Sequence, residues 1–416
     1  MSEAPRRPLR LFLGAFGDPG HAFPMIALGR RLAERGHDVT LQTWARWREH
    51  VADAGMRFEP AAEYQVFPTK GRALKPYEAA VRAAREDAEI LRDLRPDALV
   101  HDILTLAPGL AGEMTGVPVA SLIPHVFPIT TPGQPPYSLG ARLPRTGIGR
   151  RFWSAFDGPM SNGLRQGRDQ LNESRRRLGL DPVPWVHGGL SRRLTMVGTL
   201  PQLEYPRTWP SWARVVGPLL WEPPFGEVEP PPGDDPLVLV APSTSQDPSH
   251  RLLRATVEGL ADAPVRVLAT WNRRPLGREL TVPANTRLVE WVSYSRTMPR
   301  CDVVVCHGGH GTVVRALASG CAVVVSPAGG DMGENAARLD WARLGVRVPP
   351  RFLSGATMRL AVERALADSR MRANARAVAA WTAREDGATW AAQAVEELAA
   401  TRPAAPASGL SPPRRR

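Results

Sequence analysis

The stretch Val303-Val304-Val305-Cys306-His307-Gly308-Gly309-His310-Gly311-Thr312-Val313-Val314-Arg315-Ala316-Leu317-Ala318 decides how this chain is read. A run of β-branched residues ends in a turn, and good helix formers follow. That is strand, turn, helix. The glycines let the backbone approach a ligand closely. The N–H groups at a helix start favour an anion. Thr312 stands where its hydroxyl caps the helix or meets a phosphate oxygen. His307, at the end of the strand, is placed to donate to the same anion. The stretch predicts a site for a diphosphate late in the chain.

Length and composition agree with such a unit. The chain has 416 residues, which suggests two domains of about 200 residues each. Its 43% hydrophobic and 23% charged residues are those of a globular protein. No apolar run approaches the ~20 residues that span a bilayer. The apolar segment 11–16 is shorter than a signal-peptide core, so a cytoplasmic protein is expected. Cys301, Cys306 and Cys321 form no CxxC pair and read as small buried residues, and no metal site is visible. The net charge of +12 is spread along the helices, with one cluster at the tail, Arg414-Arg415-Arg416. No nucleic-acid motif accompanies it. Nucleic acid is therefore not expected as a partner, and a membrane surface at most weakly.

Outward from the opening stretch, strand and helix patterns alternate in two blocks. The first has strands at 9–16, 37–43, 56–60, 97–101 and 118–124, with helices at 23–35, 44–54, 76–94 and 104–115. Residues 126–150 are rich in Pro and Gly and read as a mobile surface loop, and a helix is expected near 149–178. Residues 201–235 carry many prolines and read as a linker region. The second block has strands at 237–241, 265–271, 286–292, 302–306 and 322–326, with helices at 248–260, 312–318, 334–344 and 357–367 and long helical patterns over 371–400. The rhythm predicts two doubly wound α/β domains with parallel sheets, facing each other across a cleft at the strand ends. The divisions are 1–215, a linker at 216–235, 236–400, and a disordered basic tail at 401–416.

Other residues gather at the same strand ends. Ser243 and Thr244 close the first strand of the second block. Trp291 and Val292 end another, where an aromatic ring can stack on a flat base. Asp331 follows the strand at 322–326 and either caps the next helix or accepts from sugar hydroxyls. In the first block, His21 follows the first strand and Asp102 ends a later parallel one. A carboxylate on one imidazole nitrogen fixes the tautomer and supports the imidazolium, so the pair reads as a general base and its orienting acid. His101 alternates to the opposite side of that strand and is the weaker candidate.

Together these motifs resemble the GT-B fold UDP-glucuronosyl/UDP-glucosyltransferase family, glycosyltransferase family 1. The style is that of bacterial enzymes that decorate antibiotics and other natural products. The carrying motifs are Gly20-His21-Ala22-Phe23-Pro24, Gly36-His37-Asp38-Val39, Trp291-Val292, His307 to Thr312, Ser326-Pro327 and Asp331 to Ala336. The resemblance implies an inverting transfer of a hexose or deoxyhexose from a UDP- or dTDP-sugar to a hydroxyl of a hydrophobic small molecule. His21 would be the base and Asp102 its orienting partner. Ser243, Thr244, Trp291, Val292, His307, Gly308, Gly309, Gly311, Thr312, Asp331 and Met332 would hold the donor. Phe16, His125 and Phe127 are candidates for the acceptor face. The nucleotide sugar is then a co-substrate, with no cofactor and no metal required, and the protein a monomer or homodimer.

Three positions depart from the family pattern. Met332 stands where the family usually has Gln, and Arg315 where it usually has a Glu that holds ribose hydroxyls. Arg315 cannot accept a hydrogen bond. Ser293-Tyr294-Ser295 replaces the common Pro-Gln after Trp291-Val292. A deoxysugar donor fits the Met332 change. The alternative is a non-catalytic activator or partner protein with a degenerate donor site. An NAD-dependent oxidoreductase lacks its glycine pattern after the first strand, and a nucleotide epimerase lacks an identifiable acid–base pair.

Overall fold

The computed structural model describes residues 7–61, 78–243 and 246–401. In the first half the elements run β1 (Arg10–Gly14), α1 (Pro19–Glu34), β2 (Asp38–Thr43), α2 (Arg48–Asp53), β3 (Arg57–Pro60), α3 (Glu78–Leu94), β4 (Ala98–Asp102), α4 (Leu106–Thr115), β5 (Val119–Ile123), α5 (Gly147–Ser154), α6 (Asp157–Arg177), β6 (Thr195–Val197) and β7 (Ala213–Val215). The second half has β8 (Leu237–Ala241), α7 (Arg251–Gly259), β9 (Arg266–Thr270), β10 (Thr286–Val289), α8 (Tyr294–Thr297), β11 (Val303–Cys306), α9 (His310–Ala318), β12 (Ala322–Val325), α10 (Met332–Ala342), β13 (Gly345–Arg347), α11 (Gly355–Ala367), α12 (Ser369–Thr382) and α13 (Gly387–Ala400).

Two sheets result. The first has the order β3-β2-β1-β4-β5-β6-β7 and the second β10-β9-β8-β11-β12-β13. Every ladder is parallel. The central strands β4, β5, β8, β11 and β12 are buried throughout, as strands covered by helices on both faces must be. Each sheet reverses its strand order once, between β1 and β4 and between β8 and β11. The crevice outside the strand ends at such a point is where ligands bind in this architecture. The register there sets Gly14 beside His101 and Cys306 beside Ala241. The residues after β1 and β4 therefore converge, as do those after β8 and β11.

The structure departs from the sequence expectations in four ways. First, residues 126–150 are not a free surface loop. Val126 is fully buried in the second domain's core, and the segment runs across to that domain. A Cβ on Gly140 would lie 2.8 Å from the carbonyl oxygen of Gly333, so the two backbones meet at a distance only glycine allows. Arg347 donates to the Gly140 carbonyl, and Arg142 pairs with Asp340 at 2.8 Å. Second, the helix expected at 149–178 is two helices, α5 and α6. Third, the proline-rich 201–235 contains β7, and β6 and β13 were also missed, because three-residue strands carry too little periodicity to read.

Fourth, α13, the last helix of the 236–400 unit, crosses to pack on the first domain. Ala391, Ala392, Val395 and Leu398 pack with Met25 and Leu28 of α1. The Glu396 carboxylate accepts from Arg35 Nε and Nη2, at 2.6 and 2.8 Å, and lies 2.8 Å from His37 Nε2. A second polar link between the domains is buried outright. Arg338 of α10, 1% exposed, donates to Glu334 Oε1 at 2.8 Å and to Glu204 Oε2 and the Leu203 carbonyl at 2.9 Å. The basic tail lies outside the described residues.

Candidate active site

Asp102 sits at the end of β4 with no side-chain exposure, and its carboxylate is fully occupied. The Phe16 N–H donates to Oδ2, the Thr105 hydroxyl donates to Oδ2 at 2.8 Å, and the Leu104 N–H donates to Oδ1 at 2.6 Å. The fourth donor is His21, whose Nδ1 lies 3.2 Å from Oδ1. An ionised carboxylate only accepts, so Nδ1 carries the proton and Nε2 keeps its lone pair. α1 starts at Pro19 rather than near residue 23, which puts His21 in its first turn. Burial alone would lower the His21 pKa, but the charge and hydrogen bond of Asp102 reverse this and hold it above 6.5. Burial pushes Asp102 upward, and His21 together with the backbone donors brings it below its ordinary value. His101 points away, as its alternation predicted. Its Nε2 lies 2.9 Å from Ser121 Oγ, and burial lowers its pKa.

Aromatic groups wall this site. The Phe16 ring meets His21 edge-on with centroids 6.0 Å apart, and it packs on Trp44 at 4.9 Å. His125 lies 6.5 Å from His21, centroid to centroid. Its Nδ1 is 2.8 Å from the Val126 carbonyl and 3.2 Å from the Tyr137 hydroxyl oxygen. A carbonyl only accepts, so Nδ1 is the donor and Nε2 is an acceptor. Burial depresses the His125 pKa and favours the neutral ring. Tyr137 was missed, since nothing marks one tyrosine inside a Pro- and Gly-rich stretch. Phe127 is a correction. It is 1% exposed and packs with Ile123, Val197 and Trp209 in the first domain's core, so it has no face to offer an acceptor.

In the second domain the strand–turn–helix unit forms as expected. Gly308 has φ +89°, and a Cβ there would lie 3.0 Å from both the Met332 carbonyl oxygen and Val325 Cγ2. The start of α10 is thereby packed on the turn. Gly309 takes the N-cap position of α9, with no side-chain cap, so Thr312 stands in the first turn and is not the cap. A Cβ on Gly311 would meet nothing within 4 Å, which leaves open space in front of the helix start. The His307 ring lies over Gly309, and its Nδ1 is 3.4 Å from the Ala241 carbonyl. Burial lowers its pKa, so it is neutral, with Nε2 as acceptor. To donate to an anion through Nε2 it must gain a proton or exchange tautomers and release the Ala241 carbonyl.

Asp331 occupies the N-cap position of α10 but makes no capping hydrogen bond. Its negative charge opposes the effect of burial on the His21, His125 and His307 rings, which remains the larger influence on each. Trp291 is half-buried with the Arg273 guanidinium 5.6 Å from its ring centroid. The Val292 side chain is 2% exposed and lies in the core, leaving only its backbone for a ligand. Ser243 is buried, and its Oγ accepts from the Gln246 N–H at 2.9 Å. Thr244 lies outside the described residues. Arg315 donates to the Trp221 carbonyl at 3.0 Å and lies 3.9 Å from Glu222. Sequence reasoning found no role for Glu222. Among the described residues, no group of three or more His, Cys, Asp or Glu is able to hold a metal ion, and no helix is long and apolar enough to cross a membrane.

Comparison with known proteins decides the class. Residues 11–118 match the glycosyltransferase family 28 N-terminal domain. Residues 254–398 match the C-terminal domain of erythromycin biosynthesis protein CIII-like proteins. The chain is a GT-B glycosyltransferase of the bacterial natural-product type. Over 405 residues this glycosyltransferase is 29% identical to 4'-demethylrebeccamycin synthase of Lentzea aerocolonigenes, covering 88% of this chain and 94% of that protein. It is also 29% identical to O-mycaminosyltylonolide 6-deoxyallosyltransferase of Streptomyces fradiae, covering 96% and 100%. In fold it is similar to a solved calicheamicin glycosyltransferase, with a TM-score of 0.73, 24% identity, and 95% and 99% of the two chains covered.

Proposed function

We propose that this glycosyltransferase moves a hexose or deoxyhexose from a UDP- or dTDP-sugar to a hydroxyl of a hydrophobic natural product, with inversion at the anomeric carbon. The observation that carries the reading is the His21–Asp102 pair at the strand ends of one domain, with Nδ1 3.2 Å from the carboxylate; Asp331 and the glycine turn of the other domain are assigned to the donor. His21 Nε2 takes the acceptor proton while the acceptor oxygen attacks the anomeric carbon. The bond from that carbon to the diphosphate breaks, and its electron pair leaves on the phosphate oxygen. Asp102 stabilises the imidazolium that forms. The start of α9 and a protonated His307 meet the charge on the leaving diphosphate, with no metal assigned a part. Asp331 accepts from hydroxyls of the sugar. Phe16, His125 and Tyr137 line the acceptor side.

The test is a panel of UDP- and dTDP-sugars screened for thermal stabilisation, followed by transfer to phenolic and macrolide acceptors. A stabilising nucleotide sugar and a glycosylated product of inverted configuration are expected. A protein stabilised by none of them, with no product formed, would support a non-catalytic partner instead.

A further inference from the structure

Two of the three departures from the family pattern meet at one side chain. Glu222 lies in the connection between the domains, and four donors converge on its carboxylate. The Ser293 and Ser295 hydroxyls each donate to Oε1 at 2.6 Å, and the Ser295 N–H donates to Oε1 at 2.9 Å. The Tyr294 N–H donates to Oε2 at 3.2 Å. Arg315 Nε stands 3.9 Å from the same Oε2, and its Nη2 holds the carbonyl of Trp221. Both charged side chains are largely withdrawn from water, at 12% and 17% exposure, so the pair is weakly screened. The neighbouring Trp221 ring is fixed in the first domain, edge-on to Phe23 at 5.0 Å and to His50 at 5.8 Å. Phe23 is on α1, the helix that carries His21.

We infer that Glu222 is a positioning residue for the nucleoside of the donor: it holds the turn that follows Trp291-Val292 and, with it, the guanidinium of Arg315. The inference rests on the donor-site reading above. A base stacked at Trp291 and bonded by the Val292 backbone depends on where that backbone sits. The backbone continues directly into Ser293, Tyr294 and Ser295, which Glu222 grips from behind. Arg315, standing where a carboxylate would accept ribose hydroxyls, cannot do so itself. Its partner Glu222 is taken up by the 293–295 turn and acts through that turn. Glutamine at position 222 keeps the shape but brings two N–H donors to a point where donors already converge, and it removes the counter-charge of Arg315.

The experiment is calorimetric titration of UDP and of dTDP into wild type, Glu222→Gln and Ser295→Ala, with ligand-free melting temperatures and steady-state kinetics in parallel. Glu222→Gln is expected to weaken the preferred nucleotide by about tenfold, and Ser295→Ala by less. In turnover, the donor KM is expected to rise by a larger factor than kcat falls, a split that general destabilisation does not produce. Ser295→Ala serves as the decisive variant if Glu222→Gln does not fold. Wild-type affinity in both variants, or a fall in kcat at unchanged donor KM, overturns the inference while leaving the donor site standing. Failure of wild type to bind either nucleotide overturns both.

Discussion

His21 donates through Nδ1 to an Asp102 carboxylate that three further donors already hold in place. The acid therefore cannot rotate away, and the imidazole is fixed in the tautomer that leaves Nε2 facing the cleft. Replacing Asp102 by Asn offers an N–H where Nδ1–H needs an acceptor and favours the wrong tautomer. The expected outcome for Asp102→Asn is a loss of about a thousandfold in kcat, with nucleotide affinity unchanged. Paired kinetics and calorimetry check it.

The pH profile follows from the same contact. The base works only when neutral, and its pKa lies above 6.5, so kcat/KM should rise with pH through a midpoint above that value. In Asp102→Asn, burial is the main influence left, and the midpoint should move downward. The stability sign is opposite in pH. A raised pKa favours the protonated folded state, so this contribution is present below pH 6.5 and is lost as pH rises through the folded value. Rate profiles and denaturant midpoints across pH 5 to 9 test both statements, and the pKa shift on the enzyme side must agree between them.

His307 is neutral in the free protein and donates toward Ala241. A diphosphate at the helix start raises its pKa, so nucleotide binding should take up a proton. Affinity should fall as pH rises from the His307 pKa of the free protein to its value in the complex, and level off above that. Calorimetry in two buffers of different ionisation enthalpy at the same pH reports the uptake directly. Binding heats that are independent of buffer count against the role given to His307.

Gly308 combines φ +89° with close backbone contact to Met332. Gly308→Ala should destabilise the second domain by about 1–3 kcal/mol and weaken nucleotide binding, because relief of the strain moves the start of α10 off the turn. Gly311→Ala meets open space and should leave stability near wild type while obstructing the ligand. Chemical denaturation of the two variants separates these outcomes.

Arg338 leaves Glu204 and Glu334 as buried unpaired carboxylates if it is lost. Arg338→Met should cost about 3–5 kcal/mol. Arg338 joins a segment of the first domain to the helix that begins beside Asp331, so donor affinity should fall as well. Thermal melts with and without nucleotide read both effects.

Strand ends are legible because parallel ladders align them. His21 and Asp102 lie 81 residues apart, yet one follows β1 and the other ends the adjacent β4, and the register brings them together. The glycine turn was legible through its own chemistry. Tyr137, Glu222 and Phe127 were not. They sit in connections with no period to tell an inward side chain from an outward one, and their placement is set by what crosses from the other domain. The hold of Glu222 on Ser293 and Ser295 is visible only once the connection is seen to fold back onto that turn. The docking of α13 on α1 was hidden for a similar reason, since an apolar helix face does not announce which domain it will cover.

The most direct test of the central claim is turnover by His21→Ala at saturating donor, measured beside its dissociation constant for the nucleotide diphosphate. Loss of transfer by about a thousandfold or more with nucleotide affinity unchanged is predicted. Near-normal turnover by that variant would contradict the assignment of His21 as the base.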